Sequence, residues 1–184
     1  MNYKALVCFV FVFSSFGSCD DKLTLTKAPY SGEEIRIDGY YYRENTDYCV
    51  SVYFFYSDGT FIDAGCLSCK PNEIETYMRN MDWNQWRKAM DDSSIGYGIF
   101  RVSDNELFIE MWRPSSSWFS FPAYLYTGKV LNDSTFIIKK VQPSKPSAFD
   151  NETRSRHEIF RFKQFSPKPD STNRFVPTGN FKTR

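Results

Sequence analysis

The sequence predicts a mainly β fold, an antiparallel up-and-down barrel of about eight strands with a short helical insertion. Three observations lead to this fold class. Aromatic residues are abundant, with 18 Phe, 12 Tyr and 4 Trp among 184 residues, and they favour strands. Runs of alternating apolar and polar residues recur between short turns. A meander of this many strands tends to close, because closure leaves no exposed edge.

Three strands are predicted before the helical insertion. The first covers residues 34–43, where apolar and more polar positions alternate. The second and third cover 49–56 and 60–65 and flank an Asp58-Gly59 turn. An Asp-Gly pair between two such runs indicates a hairpin, because glycine accepts positive φ. The second and third strands are therefore expected to pair.

Between residues 70 and 91 the apolar period lengthens from two to about 3.6, which indicates helix. Asn72 and Asp82 each precede a Glu or Gln by three residues, the spacing of a capping box, so two short helices are expected. The second would carry Trp83 and Trp86 on its apolar stripe. This stripe can be interpreted as a lid or partner-docking surface. The favoured interpretation is that it covers an open end of the sheet.

The remaining five strands are predicted after the helices, at 96–102, 106–112, 123–131, 134–141 and 156–163. Polar turns at 103–105 and 132–133 join them into two hairpins. A loop at 114–122 and an irregular connection at 143–153 separate the other strands. The meander order is thus broken only once by helix.

Four segments of the chain resemble the lipocalin-like lipoproteins of Gram-negative bacteria. They are Gly39-Tyr40-Tyr41, 55–61, 98–107 and 130–136. The resemblance covers roughly residues 34–163 as a succession of strand and turn patterns. It implies a lipocalin-like barrel.

The first 18 residues have the pattern of an export signal. Lys4 is followed by nine apolar residues at 5–13 and by Gly17 and Ser18 directly before Cys19. The Gly-Ser-Cys ending resembles a bacterial lipobox, so Cys19 is the predicted lipidation site. The apolar run is far shorter than the roughly 20 residues that span a bilayer. We expect an exported protein that its N-terminal lipid anchors to a bacterial membrane, the outer membrane, on the periplasmic or cell-surface face.

Four parts of the chain are predicted. They are a lipoprotein signal peptide at 1–18, a flexible tether at 19–32, a barrel domain at 33–165 and an extended C-terminal tail at 166–184. Removal of the signal takes away one charge, Lys4, and leaves 22 basic and 22 acidic residues. This balance differs from the clustered positive charge that nucleic-acid binding needs, so no nucleic-acid partner is expected.

Three cysteines remain for an oxidising compartment, Cys49, Cys66 and Cys69. A redox Cys-x-x-Cys motif needs a thioredoxin-like βαβ context, which the hairpin predicted before Cys66 contradicts. A structural disulfide from Cys49 to Cys66 or Cys69 is expected instead. A three-residue loop at 58–60 would place Cys49 opposite Cys69, the preferred partner. A two-residue loop at 58–59 would leave Cys69 one position away.

Residue types that catalysis needs are scarce. The one histidine, His157, lies in an alternating strand and is interpreted as a structural or surface residue. Glu106 and Glu110 are expected on the polar face of a strand. The chain has no glycine-rich phosphate loop and no Gly-x-Ser-x-Gly motif. We therefore predict no enzyme activity, no catalytic residue, no metal site and no cofactor.

Two functions are open at this point. An eight-stranded barrel can hold one small apolar ligand, with Tyr41, Phe100 and Tyr126 as candidate pocket residues. Its interior can also be filled, and the protein would then be an interaction module or an accessory component of an outer-membrane assembly. In that case an envelope protein partner would dock on the Trp83/Trp86 helices or on the 112–118 loop.

Overall fold

The computed structural model describes residues 22–93, 96–113, 122–146, 151–172 and 176. Its eight strands are β1 (Gly39–Thr46), β2 (Cys49–Phe55), β3 (Thr60–Leu67), β4 (Tyr97–Ser103), β5 (Glu106–Trp112), β6 (Ala123–Asn132), β7 (Thr135–Pro143) and β8 (Arg154–Gln164). Between β3 and β4 lie a 3₁₀ turn (Pro71–Glu73) and the helices α1 (Ile74–Asn80) and α2 (Trp83–Ser93). The predicted signal, Cys19 and the loop around Trp118 lie outside these described residues.

The eight strands form a closed barrel in which each strand is antiparallel to its neighbours in the sequence. The barrel closes where β1 pairs with β8, from Gly39 opposite Gln164 to Tyr42 opposite Arg161. Such closure leaves no strand edge unpaired. The predicted fold class, an antiparallel barrel of eight strands with a helical insertion, is confirmed.

Two hairpin turns depend on residues with positive φ. Asp104 and Asn105 have φ values of 53° and 61°, as a two-residue turn of type I′ requires. At the β2–β3 turn, the N–H of Tyr56 donates to the carbonyl of Thr60 at 3.0 Å, and Gly59 has a φ of 83°. Both turns lie at the same end of the barrel, which we call the closed end.

The first strand differs from its prediction. It begins at Gly39 rather than at residue 34, because the preceding segment runs across the closed end. There Ile35 is 2% exposed, and the N–H of Arg36 donates to the carbonyl of Asp133 in the β6–β7 turn at 2.9 Å. The alternation of apolar residues in this segment thus reflects packing on the barrel interior without strand pairing.

Residues 22–30 are predicted to be part of a flexible tether, but they lie against the barrel. The carboxylate of Glu110 accepts the N–H of Thr24 and of Leu25, each at 2.7 Å, and the hydroxyl of Thr24 at 2.8 Å. Glu110 is fully buried, so its predicted place on a polar strand face is wrong. The reason is that the N-terminal segment covers this part of β5.

The helices cover the outside of the barrel. Asp82 caps α2, since its Oδ1 accepts the N–H groups of Asn84 and Gln85 at 3.0 Å. The ring centroid of Trp83 lies 5.7 Å from that of Phe54 on β2, and Trp86 packs on the same cluster. The tryptophan stripe therefore covers a sheet face. Among the described residues, no helix has both the length and the apolar character needed to cross a bilayer.

The barrel interior has an apolar part and a polar part. The apolar part is filled by seven mutually packed rings, which we call the aromatic core: Tyr41, Tyr53, Phe55, Phe61, Phe100, Phe136 and Phe160. Neighbouring centroids in this core lie between 4.3 and 5.7 Å apart. The polar part lies at the end opposite the turns of β2–β3 and β4–β5, and we call it the mouth.

Candidate functional site

A cavity of about 330 Å³ opens at the mouth, directly above the aromatic core. This volume is at the small end of the range of about 300–1,000 Å³ for ligand sites. The lining residues come from strands all around the barrel: Arg43, Ser51, Tyr53, Asp63, Gly65, Cys66, Arg113, Tyr126, Arg156 and Glu158. The site is thus a charged chamber on an aromatic base.

The same alternation that builds the aromatic core brings charged side chains into the mouth. Arg43 follows the core residue Tyr41 by two positions, and Glu158 precedes Phe160 by two. Residues two apart on a strand lie on the same face. The inward face of the barrel therefore changes from aromatic to charged along the strands.

Asp63, the more buried of the two carboxylates in the described mouth, forms an ion pair with Arg113. Asp63 is 6% exposed, its Oδ2 lies 3.0 Å from Arg113 Nη2, and its Oδ1 accepts the N–H of Gly65 at 2.8 Å. Burial raises the pKa of Asp63 above its ordinary value, and the guanidinium of Arg113 opposes that rise. Arg113 also donates from Nε to the hydroxyl oxygen of Tyr126 at 2.9 Å. The pair therefore fixes the Tyr126 hydroxyl at the cavity wall.

A second charged group joins two arginines through one carboxylate. Arg43 Nη1 lies 3.1 Å from Glu158 Oε1, whereas Arg156 Nη1 lies 3.6 Å from the same oxygen. The Nε of Arg43 is buried and has no hydrogen-bond acceptor among the described residues. Such an unpaired buried donor is costly and marks a position to explain. Glu158 is thus shared by two arginines, and these arginines have N–H donors that its carboxylate does not use.

Two tyrosine hydroxyls complete the site. Burial raises the pKa of Tyr53 and of Tyr126 above the ordinary tyrosine value. Both hydroxyls therefore keep their protons at neutral pH and can donate hydrogen bonds. The described residues contain no cluster of three or more His, Cys, Asp or Glu side chains placed to hold a metal ion.

The predicted pocket residues lie at different depths. Tyr126 lines the mouth cavity. Tyr41 belongs to the aromatic core, where its ring lies 4.9 Å from that of Phe136 and its hydroxyl donates to the carbonyl of Asp133 at 2.6 Å. Phe100 packs 4.8 Å from Phe55 in the same core. Only Tyr126 of the three is brought to the cavity described here.

The disulfide joins Cys49 to Cys66, with their Cα atoms 5.5 Å apart. Cys69 is free and buried, so the preferred pairing of Cys49 with Cys69 is wrong. The loop of the β2–β3 hairpin comprises 57–59, and a bulge at Gly65 shifts the register again before Cys66 pairs with Ser51. These two shifts bring Cys66, not Cys69, beside Cys49.

The other residues singled out in the sequence lie away from the mouth cavity. His157 is exposed on β8, as expected of a surface histidine. A groove of about 670 Å³ lies outside the barrel beside α1, and Cys69 and the partly exposed Tyr77 are among its lining residues. This groove is open and its lining is largely exposed, so it would enclose a ligand less well than the mouth does.

Sequence reasoning did not single out the charged residues of the mouth. A signal for them exists in the alternation of the strands. Asp63 follows Phe61 by two residues and Arg156 precedes Phe160 by four, so both are expected to face inward like these core residues. A charge at an inward position indicates either a site or a strand end. Arg113 lies just beyond the end of β5, where the alternation of inward and outward residues no longer predicts which way a side chain faces.

Comparison with known proteins adds no family to this description. No protein-family model matches the chain, and the searches of curated proteins and of solved structures find no match.

Proposed function

We propose that this protein is a lipid-anchored, non-enzymatic binding protein of the bacterial envelope, and that its ligand occupies the mouth cavity. The observation that carries the proposal is the charged chamber of about 330 Å³ at the open end of the barrel, above the packed aromatic core. At roughly 30 Å³ per water-sized group, it holds a ligand on the order of ten non-hydrogen atoms. The ligand is small and polar.

The proposed location at the membrane rests on the sequence pattern of the N-terminus. A signal-like segment ends at Cys19, and acylation of that cysteine would attach a barrel of balanced charge to the membrane. Lys22 is only three residues further on, and Thr24, two residues after Lys22, is hydrogen-bonded to Glu110. A lipid on Cys19 would therefore hold the barrel close to the outer-membrane surface.

The packing of the interior favours a polar ligand over the apolar ligand expected from the sequence. Tyr53 and Phe160 are stacked at 4.3 Å, and Phe136 stacks on Phe160 at 5.0 Å. An apolar molecule would have to displace rings that are already in contact, with the loss of their packing. The mouth offers space without such displacement.

A binding role is favoured over a catalytic one because the carboxylates of the mouth are already engaged. Asp63 is held by Arg113 and by the Gly65 N–H, and Glu158 is shared by Arg43 and Arg156. A general base needs a lone pair free to take a proton from the substrate. Asp63 offers none, because both of its oxygens are engaged, and Glu158 already holds two arginines through its Oε1.

The ligand site is tested by native mass spectrometry of full-length protein purified from its own membranes. A co-purifying small molecule should stay with the wild type and be lost from Ser51→Phe, which places a ring in the cavity. Leu131→Phe, at a surface position that is 54% exposed, is the matched control and should keep the ligand. Circular dichroism would verify that both variants are folded.

Two results would contradict the proposal. A ligand that remains with folded Ser51→Phe does not occupy the mouth. Wild-type protein that carries no ligand, but captures an envelope protein, would favour the alternative of an interaction module with a filled barrel. The anchor is tested separately by N-terminal mass spectrometry and by Cys19→Ala, which should leave the membrane fraction.

A further inference from the structure

We infer that the mouth recognises a carboxylate-bearing small molecule through Arg156 and Arg43. This inference rests on the proposed function, because it names the chemical class of the ligand in the same cavity. It follows from the balance of charges and of hydrogen-bond donors around that cavity.

The charge balance of the cavity wall is positive. Among the described residues of the wall, three guanidinium groups, those of Arg43, Arg113 and Arg156, face two carboxylates, those of Asp63 and Glu158. Arginine stays protonated at any physiological pH. One positive charge is therefore left for a ligand to balance, and a monoanion balances it in full.

The hydrogen-bond balance points the same way. The accessible donors belong to Arg156, whose side chain is 44% exposed and whose only ion pair in the described structure spans 3.6 Å, longer than a normal hydrogen bond. The Nε of Arg43 also has no acceptor among the described residues, but this atom is buried. Tyr126 accepts a bond from Arg113, which leaves its own hydroxyl proton to donate. The wall thus offers spare donors, while Asp63 Oδ2 and Glu158 Oε1 lie against arginines and Asp63 Oδ1 accepts the Gly65 N–H. A ligand that satisfies this wall must bring acceptors.

A carboxylate fits these donors better than the other acceptors do. Its two coplanar oxygens match the fork of a guanidinium, and charge-assisted bonds of this type are about twice as strong as neutral ones. A neutral amide brings one acceptor and two unwanted donors. A phosphoryl group brings close to two negative charges at neutral pH, more than the single charge that the wall leaves uncompensated.

The aromatic residues at the base of the cavity indicate what the part of the ligand beyond the carboxylate is like. Tyr53 and Tyr126 are both lining residues of the cavity, and Arg113 lies with its guanidinium carbon 5.5 Å from the Tyr126 ring centroid. A short apolar or aromatic body below the carboxylate would pack on these rings. Benzoate is therefore a suitable probe of the site.

The test compares benzoate with benzamide and phenylphosphonate, which share one ring and differ only in the polar group. ¹⁵N-labelled full-length protein would be titrated, and the Nε–Hε resonances of Arg43 and Arg156 would be followed by NMR. Benzoate should shift both resonances and bind at least tenfold more tightly than either analogue, a difference of about 1.4 kcal/mol. Arg156→Gln should weaken benzoate binding at least tenfold.

Arg161→Gln is the matched control, because Arg161 lies on the same strand with an exposed side chain, and it should leave benzoate affinity unchanged. Equal or tighter binding of benzamide, a preference for phenylphosphonate, or no shift of mouth resonances by any probe would each overturn the carboxylate inference. The proposed function has its own readout, the molecule that co-purifies and depends on an open mouth. A neutral co-purified ligand would refute the present inference and leave the proposed function standing.

Discussion

The two ends of this barrel differ in how far their cations are hydrogen-bonded within the protein, as a comparison of Lys168 with Arg156 shows. At the closed end, Lys168 donates to the carbonyls of Ile37 and Phe55 at 2.7 Å each, and its amine lies 4.0 Å from the Tyr56 ring centroid. At the mouth, Arg156 lies 3.6 Å from Glu158. A cation whose donors are satisfied internally ties the chain together, whereas a cation with spare donors is available to a ligand. We therefore expect the closed end and the aromatic core to set stability and the mouth to set binding.

The largest effect is expected from Phe136→Ala in the aromatic core. Phe136 is fully buried, and its ring is stacked 5.0 Å from Phe160. Removal of a buried phenyl ring leaves a cavity and should lower the free energy of unfolding by about 3–5 kcal/mol. Urea unfolding measures the loss. Leu131→Ala, at an exposed position, should change it by less than about 0.5 kcal/mol, and equal effects for the two variants would contradict a packed core.

The disulfide is expected to have the next largest effect. Cys49 and Cys66 are 17 residues apart, and opening a loop of that size should cost about 3 kcal/mol through the entropy of the unfolded chain. Cys49→Ser tests this by urea unfolding. Non-reducing peptide mapping of the wild type should find Cys49 linked to Cys66 and one free thiol at Cys69. A link from Cys49 to Cys69 would show that the β2–β3 register differs from the one described.

The disulfide also shows how far the sequence could lead. The hairpin was predictable, because Asp58-Gly59 separates two alternating runs. Its register depends on whether the last loop residue is Gly59 or Thr60, and on the bulge at Gly65, which has a φ of 81°. Both choices depend on tertiary packing, including the approach of Ala28 to Gly59, where a Cβ would clash with the Ala28 carbonyl oxygen. Strand order was predictable from local patterns, whereas cysteine pairing was not.

The candidate site was less accessible to sequence reasoning than the fold. Period-two alternation identifies which residues face inward, but it does not distinguish a filled interior from a hollow one, because Tyr41 and Phe100 satisfy either. The mouth is formed by residues from distant strands, such as Arg43 and Glu158, which are 3.1 Å apart. Their meeting depends on the register in which β1 pairs with β8, and local sequence patterns predict the closure but not this register.

A smaller effect is expected where the N-terminal segment meets the barrel. Glu110→Ala removes the acceptor of three hydrogen bonds from Thr24 and Leu25. Loss of a buried acceptor should cost about 1–3 kcal/mol, and trypsin should cleave faster after Lys22 and Lys27. Glu106→Ala, at an exposed position of the same strand, is the control. Unchanged cleavage in Glu110→Ala would show that other contacts hold the segment.

The closed end should also give a pH-dependent signature through Lys168. Burial lowers the pKa of this amine from 10.5 to about 8 in the folded protein. Between these two values the folded state binds fewer protons than the unfolded state, so the wild type should gain stability as pH rises through this window. Relative to Lys168→Met, the gain should be on the order of 1 kcal/mol, since the partly exposed amine keeps some of its hydration. Urea unfolding across the window measures it, with Lys129→Met as the exposed control. A constant difference between wild type and Lys168→Met would contradict the shifted pKa.

The smallest effect on stability is expected at the mouth, from Arg156→Gln. The Arg156 side chain is 44% exposed and lies 3.6 Å from Glu158, and solvent-exposed pairs of this kind contribute about 0–1 kcal/mol. Glu158 keeps its shorter contact with Arg43, so the substitution strands no buried charge. Urea unfolding should therefore place Arg156→Gln within about 0.5 kcal/mol of the wild type, even though the same substitution weakens benzoate binding. A loss of more than about 2 kcal/mol would mean that the mouth, like the closed end, is built for stability, and the contrast between the two ends would fail.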